Sequence, residues 1–364
     1  MNKINISQLF AIFLLSTGLN NHVIVIPLLI DVAGRDAWIS VIIGYVLSLV
    51  FSLLLLYVTK QVISVSLFEW LSSTYSQFLS RIIAILMVLF LITTGWITLK
   101  ETTNWTNETY LLNTPVIMIS LFILAAAIYI SIGKLKVIAM CAGVILPLVI
   151  ALGIFVSTGT FPDKNYKNVA PVLVENGWEE VFHGSIFVLG SLIEIILLIL
   201  LQHQLTQKLK FKHLVFLTLL LSVLTAGPLL GSIAVFGVEE AEKLRYPAFY
   251  QWRILRLGNY FNHLDFFSIY QWLSSAFIRI TIVLFLITQV LNIKKKKQRF
   301  YIQAFICIIY LLLTITPISD EAFYIFLVRF YYIGSIVFSV FITLFLATLM
   351  KFSRNKRRSI SETK

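Results

Sequence analysis

Ten long apolar runs constrain the fold of this chain more than any other feature. Each is close to the roughly 20 mostly apolar residues that a helix needs to cross about 30 Å of hydrocarbon. Lipid offers the backbone no hydrogen-bond partners, so a spanning run must pair its own N–H and C=O groups as a helix. The sequence therefore predicts an all-α polytopic membrane protein with about ten transmembrane helices. The runs are Ile6–Ile30, Ala37–Val58, Arg81–Leu99, Pro115–Ile132, Val137–Gly159, Phe182–Gln202, His213–Phe236, Phe266–Leu291, Phe300–Thr316 and Phe323–Met350.

The charge content excludes a water-soluble domain. Only 13% of the 364 residues are charged, whereas soluble domains carry about 25%. The net charge of +12 would suggest nucleic acid in a soluble protein. Here the basic residues lie in short runs between the apolar segments, where they orient a membrane protein. We expect no nucleic-acid partner.

The distribution of Lys and Arg predicts the orientation. If the N-terminus is cytoplasmic, the inner segments hold 19 of the 29 basic residues, the outer segments hold 8, and Arg279 and Arg329 fall within spans. This bias and the even number of spans predict that both termini are cytoplasmic. The basic runs at Lys294–Arg299 and Lys351–Arg358 either only fix the topology or also bind anionic membrane lipids.

No shift in composition divides the chain. We expect one integral membrane domain over residues 1–364, ending in a cytoplasmic basic tail at 351–364. Ten helices divide into five and five, and an odd number in each half forces the halves to run in opposite directions. Residues of about 6–159 and 182–350 are therefore predicted to be inverted repeats, an architecture common among transporters. The longest polar segments, 159–181 and 237–265, lie on the predicted outer side, and the second is aromatic enough to form an interfacial helix.

The first helix of each predicted half is interrupted by small and polar residues. Gly18, Leu19 and Asn20 break the first run, and Gly190 and Ser191 lie within the sixth. Glycine and asparagine are poor helix formers, and carriers with inverted repeats bind their substrates beside such interruptions. We therefore expect Gly18 and Gly190 to mark two backbone breaks that receive a small ligand. Close helix packing against the two glycines is the alternative.

One acidic residue, Glu194, is predicted to lie deep within a span. A charge at this depth is costly, so a partner or a function is expected. Arg279 lies midway along the eighth run and is the candidate partner. A purely structural ion pair is the alternative to a functional one.

Sequence motifs of enzymes are absent. There is no Walker sequence, no nucleophile elbow and no His-Glu-x-x-His. The five histidines show no metal-ligand spacing, and Cys141 and Cys307 lie in apolar runs, as small buried residues do. We expect no catalytic residue, no metal and no cofactor, and predict that the chain is not an enzyme.

Several local motifs together resemble the spore germination permease family, the B subunits of germinant receptors in endospore-forming bacteria. That family is similar to transporters of the amino acid–polyamine–cation superfamily. The resemblance extends from about residue 6 to residue 350. The motifs are Ile6-Ser7-Gln8-Leu9-Phe10, Gly34-Arg35-Asp36-Ala37-Trp38, Gly184-Ser185-Ile186-Phe187-Val188-Leu189-Gly190, Leu257-Gly258-Asn259-Tyr260-Phe261-Asn262-His263-Leu264-Asp265, Gln271-Trp272 and Phe277-Ile278-Arg279-Ile280.

The resemblance implies a LeuT-like fold of five plus five helices in inverted repeats. It also implies a pocket between the broken first and sixth helices, closed by the third and eighth. In this chain the implied ligand-binding residues are Gly18, Leu19, Asn20, Phe90, Thr93, Thr94, Gly190, Ser191, Ser274 and Ser275.

The resemblance further implies a role and partners. The role is to bind a small germinant, with an amino acid as the expected ligand, beside A-type and C-type receptor subunits in the spore inner membrane. A cation-coupled amino-acid transporter is the main alternative, in which Ser274 and Ser275 could help to coordinate sodium. A third reading is a structural membrane subunit with a vestigial pocket. Hydropathy does not separate sensing from transport, since both can use one pocket.

Overall fold

The computed structural model describes residues 3–62, 65–175, 177–258 and 261–362, with side chains as far as 353. Asn259 and Tyr260, which belong to the motif from Leu257 to Asp265, and Lys364 of the basic tail lie outside the described residues. Over the described ranges the secondary structure is helical apart from two isolated β-bridges. The prediction of an all-α polytopic membrane protein is confirmed.

The ten predicted runs all lie in apolar helices, which we number α1 to α10. Eight helical stretches of the described chain are long and apolar enough to span a membrane. The first of these is 56 residues long and contains both α1 and α2. The chain turns between these two helices at Gly34, whose φ is 49°. The remaining helix, α4, has 16 residues. The single-segment helices are α2 Ala37–Gln61, α3 Gln77–Thr109, α4 Val116–Ser131, α5 Leu135–Gly159, α7 Phe211–Phe236, α8 Phe266–Val290 and α9 Lys296–Ile315.

Three helices change their hydrogen-bonding pattern along their length. Helix α1 comprises α-helix Ile6–Leu19, π-helix Asn20–Ile24 and α-helix Val25–Ala33. Helix α6 comprises α-helix Trp178–Leu192, 3₁₀-helix Ile193–Leu197 and α-helix Leu198–Leu201. Helix α10 comprises α-helix Asp320–Phe326, π-helix Leu327–Tyr331 and α-helix Tyr332–Glu362.

The structure contains helical segments beyond those that the hydropathy pattern predicts. Helix α3 continues ten residues beyond its predicted end at Leu99 to Thr109, because the polar residues there are buried by neighbouring helices. Short helices also form outside the spans. Leu67–Thr74 begins with a capping box from Ser66, and the aromatic outer segment holds Val238–Lys243 and Pro247–Ile254.

Helices α6 and α8 form the centre of the bundle. In their most apolar stretches 89% and 78% of the residues are buried, compared with 22% for α5 and 28% for α9. Helix α8 packs against α1, α3, α4 and α5, while α6 packs against α1, α2 and α10. Polar side chains in these two buried stretches of α6 and α8 therefore mostly meet protein and not lipid.

The orientation can be tested by cysteine labelling in a background without Cys141 and Cys307. Lys167, in the segment 159–181, is exposed in the structure, as is Lys136, at the turn between α4 and α5. An impermeant thiol reagent should label Lys167→Cys on intact cells and Lys136→Cys only after permeabilisation. The reverse pattern would contradict cytoplasmic termini.

Candidate functional site

The three helices that depart from α-helical geometry meet at one buried polar centre. The π-helix of α1 begins at Asn20, the 3₁₀ segment of α6 contains Glu194, and the π-helix of α10 ends at Tyr331. Mid-helix π and 3₁₀ segments often mark functional positions, because they change which backbone groups are free and where side chains point. The side chains of Asn20 and Tyr331 both contact the carboxylate of Glu194.

A bidentate ion pair occupies this centre. Arg279 Nη2 lies 2.6 Å from Glu194 Oε1, and Arg279 Nη1 lies 2.7 Å from Glu194 Oε2. The two side chains are 3% and 0% exposed. A planar guanidinium matches a carboxylate with two parallel hydrogen bonds, which gives both strength and a fixed orientation.

Three further helices complete the shell around the pair. Glu194 Oε1 also accepts hydrogen bonds from Tyr331 Oη at 2.9 Å and from Asn20 Nδ2 at 3.3 Å. Tyr332 Oη donates to Asn20 Oδ1 at 2.8 Å, which fixes the orientation of that amide. Arg279 Nε donates to Thr98 Oγ1 on α3 at 2.8 Å. The centre therefore joins α1, α3, α6, α8 and α10.

The backbone of α1 contributes a carbonyl to Arg279. The N–H of Asn20 bonds to Thr17 O, and the N–H of Val25 bonds to Asn20 O in the wider π pattern. An α-helical Asn20 would instead bond to Ser16 O. In this structure Ser16 O accepts from Arg279 Nη1 at 2.8 Å. The change of helix type thus offers a backbone oxygen to the cation.

These contacts explain how two charges are accommodated at this depth. Burying an ion pair is costly unless further hydrogen bonds satisfy both groups. Four N–H groups of Arg279 have acceptors here, and the Glu194 carboxylate accepts four hydrogen bonds. Any ligand that enters this centre meets a positive and a negative group already held side by side.

A separate apolar cavity of about 400 Å³ lies on another side of α1. Helices α1, α5, α7 and α8 line it, and the outer helix Pro247–Ile254 contributes Phe249 and Trp252. Of the predicted ligand-binding residues, Gly18, Leu19 and Ser275 border this cavity. Its wall is mostly aliphatic and aromatic, and it does not include Glu194 or Arg279.

The other predicted site residues lie apart from the cavity. Asn20 belongs to the charged centre, and Thr94 is buried on α3 one turn before Thr98. Four residues have partners within or between helices. Phe90 stacks on Phe338, Thr93 Oγ1 donates to Leu89 O, Ser191 Oγ donates to Val188 O and Ser274 Oγ donates to Tyr270 O.

The expectation of unwound backbone at Gly18 and Gly190 is wrong. Both glycines lie within α-helix, and the departures begin two and three residues later, at Asn20 and Ile193. A Cβ at Gly190 would lie 2.9 Å from Tyr332 O, so this glycine permits close packing of α6 against α10. The packing alternative therefore describes Gly190. At Gly18 the nearest atom to a Cβ would be a side-chain methyl of Leu224, at 3.2 Å, and the next two atoms lie at ordinary contact distance.

Sequence reasoning missed Thr98, Tyr331 and Tyr332 as parts of the centre. Threonine and tyrosine are common in membrane helices, so single residues give no signal. The adjacent Tyr331 and Tyr332, both buried in the middle of an apolar run, were the available clue, because a buried phenol usually needs a partner. A second ion pair was also missed: Arg245 Nη2 lies 2.6 Å from Glu101 Oε1 where α3 meets the outer segment 237–265, with Glu101 buried and Arg245 30% exposed.

The comparisons with known proteins agree along most of the chain. The model of the spore germination protein family matches residues 3–322. The chain is 36% identical to "Spore germination protein XB" of Bacillus anthracis over 360 residues, covering 98% of this chain and 100% of that protein. It is 26% identical to "Putative spore germination protein YfkT" of Bacillus subtilis (strain 168) over 288 residues, covering 79% of this chain and 78% of the relative.

Proposed function

The chain belongs to the spore germination protein family, and from that premise we propose that it is the ligand-recognising membrane subunit of a germinant receptor. Its ligand is a small nutrient, an amino acid, bound where α1, α3, α6 and α8 meet. Binding changes the packing of these helices and so triggers germination. A-type and C-type receptor subunits are its proposed partners, and the spore inner membrane its proposed location.

The Glu194–Arg279 pair is the observation that supports this ligand class. A zwitterionic α-amino acid carries an ammonium group and a carboxylate group on the same carbon atom. Its carboxylate matches the guanidinium of Arg279, and its ammonium matches the carboxylate of Glu194. The ligand would exchange for one existing ion pair and leave no charge unpaired, which limits the cost of desolvation.

Replacement of the Glu194–Arg279 ion pair by a ligand would also explain how binding changes the arrangement of the helices. In this structure Arg279 connects α8 to Ser16 O on α1, Thr98 on α3 and Glu194 on α6. A ligand that takes over some of these hydrogen bonds changes the relative free energy of two helix arrangements. Such differential binding is the requirement for any ligand-driven conformational change.

The guanidinium of Arg279 is a cation that is part of the protein, and its position favours sensing over cation-coupled transport. Transporters with broken helices coordinate a coupling ion through freed backbone carbonyls. The carbonyl available on α1, Ser16 O, already accepts from Arg279. The guanidinium thus occupies the place where a mobile cation would be held, and it cannot leave with a substrate.

The geometry of α1 and α6 supports the proposal of two inverted repeats. These are the first helices of the two predicted halves, residues of about 6–159 and 182–350. Both change their helix type near the same buried centre, at Asn20 and Ile193. Equivalent interruptions in the two halves are a hallmark of inverted-repeat carriers.

Ion dependence separates the receptor from the transporter. Spores that depend on this chain should germinate in response to amino acids with the same dose–response in sodium and potassium buffers. Proteoliposomes should not accumulate radiolabelled amino acids under a sodium or proton gradient. The double substitution Ser274→Ala with Ser275→Ala removes the alternative sodium ligands and should leave the response unchanged. Gradient-driven accumulation that this substitution abolishes would contradict the proposal.

A further inference from the structure

We propose that a pocket between α1, α2 and the α6–α7 connection binds a phosphate group. The pocket has a volume of about 160 Å³. Three lysines line it, from three separate parts of the chain. They are Lys3 before α1, Lys60 at the end of α2 and Lys208 between α6 and α7.

The backbone around the pocket is fixed by long-range hydrogen bonds. Ile4 N donates to Gln204 O at 3.0 Å, and Thr206 N donates to Ile4 O at 2.9 Å. This short parallel bridge joins the N-terminal segment to the α6–α7 connection. Gln202 Nε2 donates to Val62 O, which joins the same connection to the end of α2. The three lysine-bearing segments are therefore held together without the lysine side chains.

The wall of this pocket carries positive charge without a compensating acid. Among the residues that the structure describes, its lining includes no Asp or Glu. Glu69, on the short helix that follows Lys60, is engaged by the backbone N–H of Ser66 in a capping box. Three exposed lysines line this one concavity, and an anion bound among their ammonium groups would reduce the repulsion between like charges. Each offers three N–H donors, and lysine commonly binds phosphate as a point charge.

The position of the pocket suggests two sources for that anion. All three lysines fall in segments predicted to be cytoplasmic. Juxtamembrane lysines there attract anionic lipid head groups, and a free phosphate can reach the same face from water. The chemistry is shared, since both ligands present a phosphate group with oxygen acceptors.

Occupancy would connect the inner ends of α1 and α6. Lys3 precedes α1, which carries Asn20, and Lys208 follows α6, which carries Glu194. An anion held by both lysines adds a charge-assisted link between the inner ends of these helices. It should favour the arrangement seen here over one in which α1 and α6 separate.

Thermal unfolding of the purified full-length chain tests this site. The chain is placed in nanodiscs of phosphatidylcholine alone, with and without inorganic phosphate, or with added phosphatidylglycerol. One variant replaces Lys3, Lys60 and Lys208 with glutamine. The control replaces Lys294, Lys295 and Lys296 with glutamine, which removes the same charge from the same predicted face.

A rise in melting temperature with wild type and control, but not with the pocket variant, is the expected result. The apparent affinity of the pocket variant should fall at least about tenfold, because each lysine near an anionic group contributes on the order of 1 kcal/mol. A response to inorganic phosphate identifies a free anion site, and a response to phosphatidylglycerol alone identifies a head-group site. Equal responses of pocket variant and control, or no response of wild type to either ligand, would overturn the proposal. If the triple variant does not fold, Lys208→Gln alone takes its place, and its change in melting temperature is compared with those of wild type and control.

Discussion

Replacing Arg279 with methionine should remove most of the folded protein from the membrane, and the additional change Glu194→Gln should restore much of it. The single change leaves a carboxylate that is 0% exposed without its cation. Breaking a buried ion pair in this way costs about 3–5 kcal/mol. The double change removes both charges, while glutamine can still bond to Asn20 and Tyr331. Membrane abundance and the thermal midpoint of purified protein measure the two effects.

An exposed ion pair supplies the control for this experiment. Lys243 Nζ lies 2.8 Å from Glu240 Oε1, and the two side chains are 68% and 66% exposed. Surface pairs contribute about 0–1 kcal/mol, so Lys243→Met should leave abundance unchanged. The account of the buried pair fails if Arg279→Met is as abundant as wild type, or if the double variant is no more abundant than the single one.

Alanine at Gly190 should destabilise the protein, whereas alanine at Gly18 should not. The new Cβ at position 190 would lie 2.9 Å from the backbone oxygen of Tyr332, and at 3.0 Å from its side chain. Backbone cannot move aside as a side-chain end can, so α6 and α10 must separate. Overpacking of this kind typically costs 1–3 kcal/mol, on the order of tenfold or more in the folded population. At position 18 the terminal methyl of Leu224 can rotate away.

The thermal midpoint and the membrane abundance of the two variants give the comparison. Gly143→Ala is the matched control, because a Cβ there meets nothing within 4 Å and alanine is the better helix former. We expect Gly190→Ala to fall well below this control, and Gly18→Ala to lie near it. Equal midpoints for all three variants would show that α6 does not pack against α10 as closely as described.

The spans could be predicted from sequence because hydropathy alone determines them. Every predicted run lies in an apolar helix, and the two buried glycine-rich stretches were recognised as unusual. The extension of α3 to Thr109 could not be predicted in this way. Its residues Lys100 and Glu101 are charged, and their burial depends on tertiary partners. Lys100 donates to Thr314 O, and Glu101 accepts from Arg245 and Tyr246.

The candidate site was predictable in its charges and not in its geometry. The one acid predicted deep within a span identifies Glu194, and Arg279, midway along the eighth run, is its candidate partner, because charged groups are expensive in a membrane. The assignment of unwound backbone to the glycines failed for a physical reason. Glycine lowers the cost of both a helix break and a close helix contact, so its position does not distinguish them. Ser16 O, at the start of the change of helix type in α1, accepts a hydrogen bond from Arg279, a residue more than 250 positions away.

Ligand binding in the apolar cavity and ligand binding at the charged centre predict different effects of Gly18→Ala. Gly18 borders the cavity, so Gly18→Ala tests whether cavity shape affects the ligand response. Asn20 contacts Glu194 from the other side of α1. If recognition takes place at the charged centre, amino-acid binding should be insensitive to the change at Gly18.

Equilibrium binding of a panel of radiolabelled amino acids to purified protein tests the central claim most directly. The wild-type chain and Gly18→Ala should bind the same amino acids with similar affinity in sodium-free buffer. The folded double variant, Glu194→Gln with Arg279→Met, should bind none of them, since neither charge remains to receive the ligand. Binding by the double variant at wild-type affinity, or no binding of any amino acid by wild type, would contradict recognition at the Glu194–Arg279 centre.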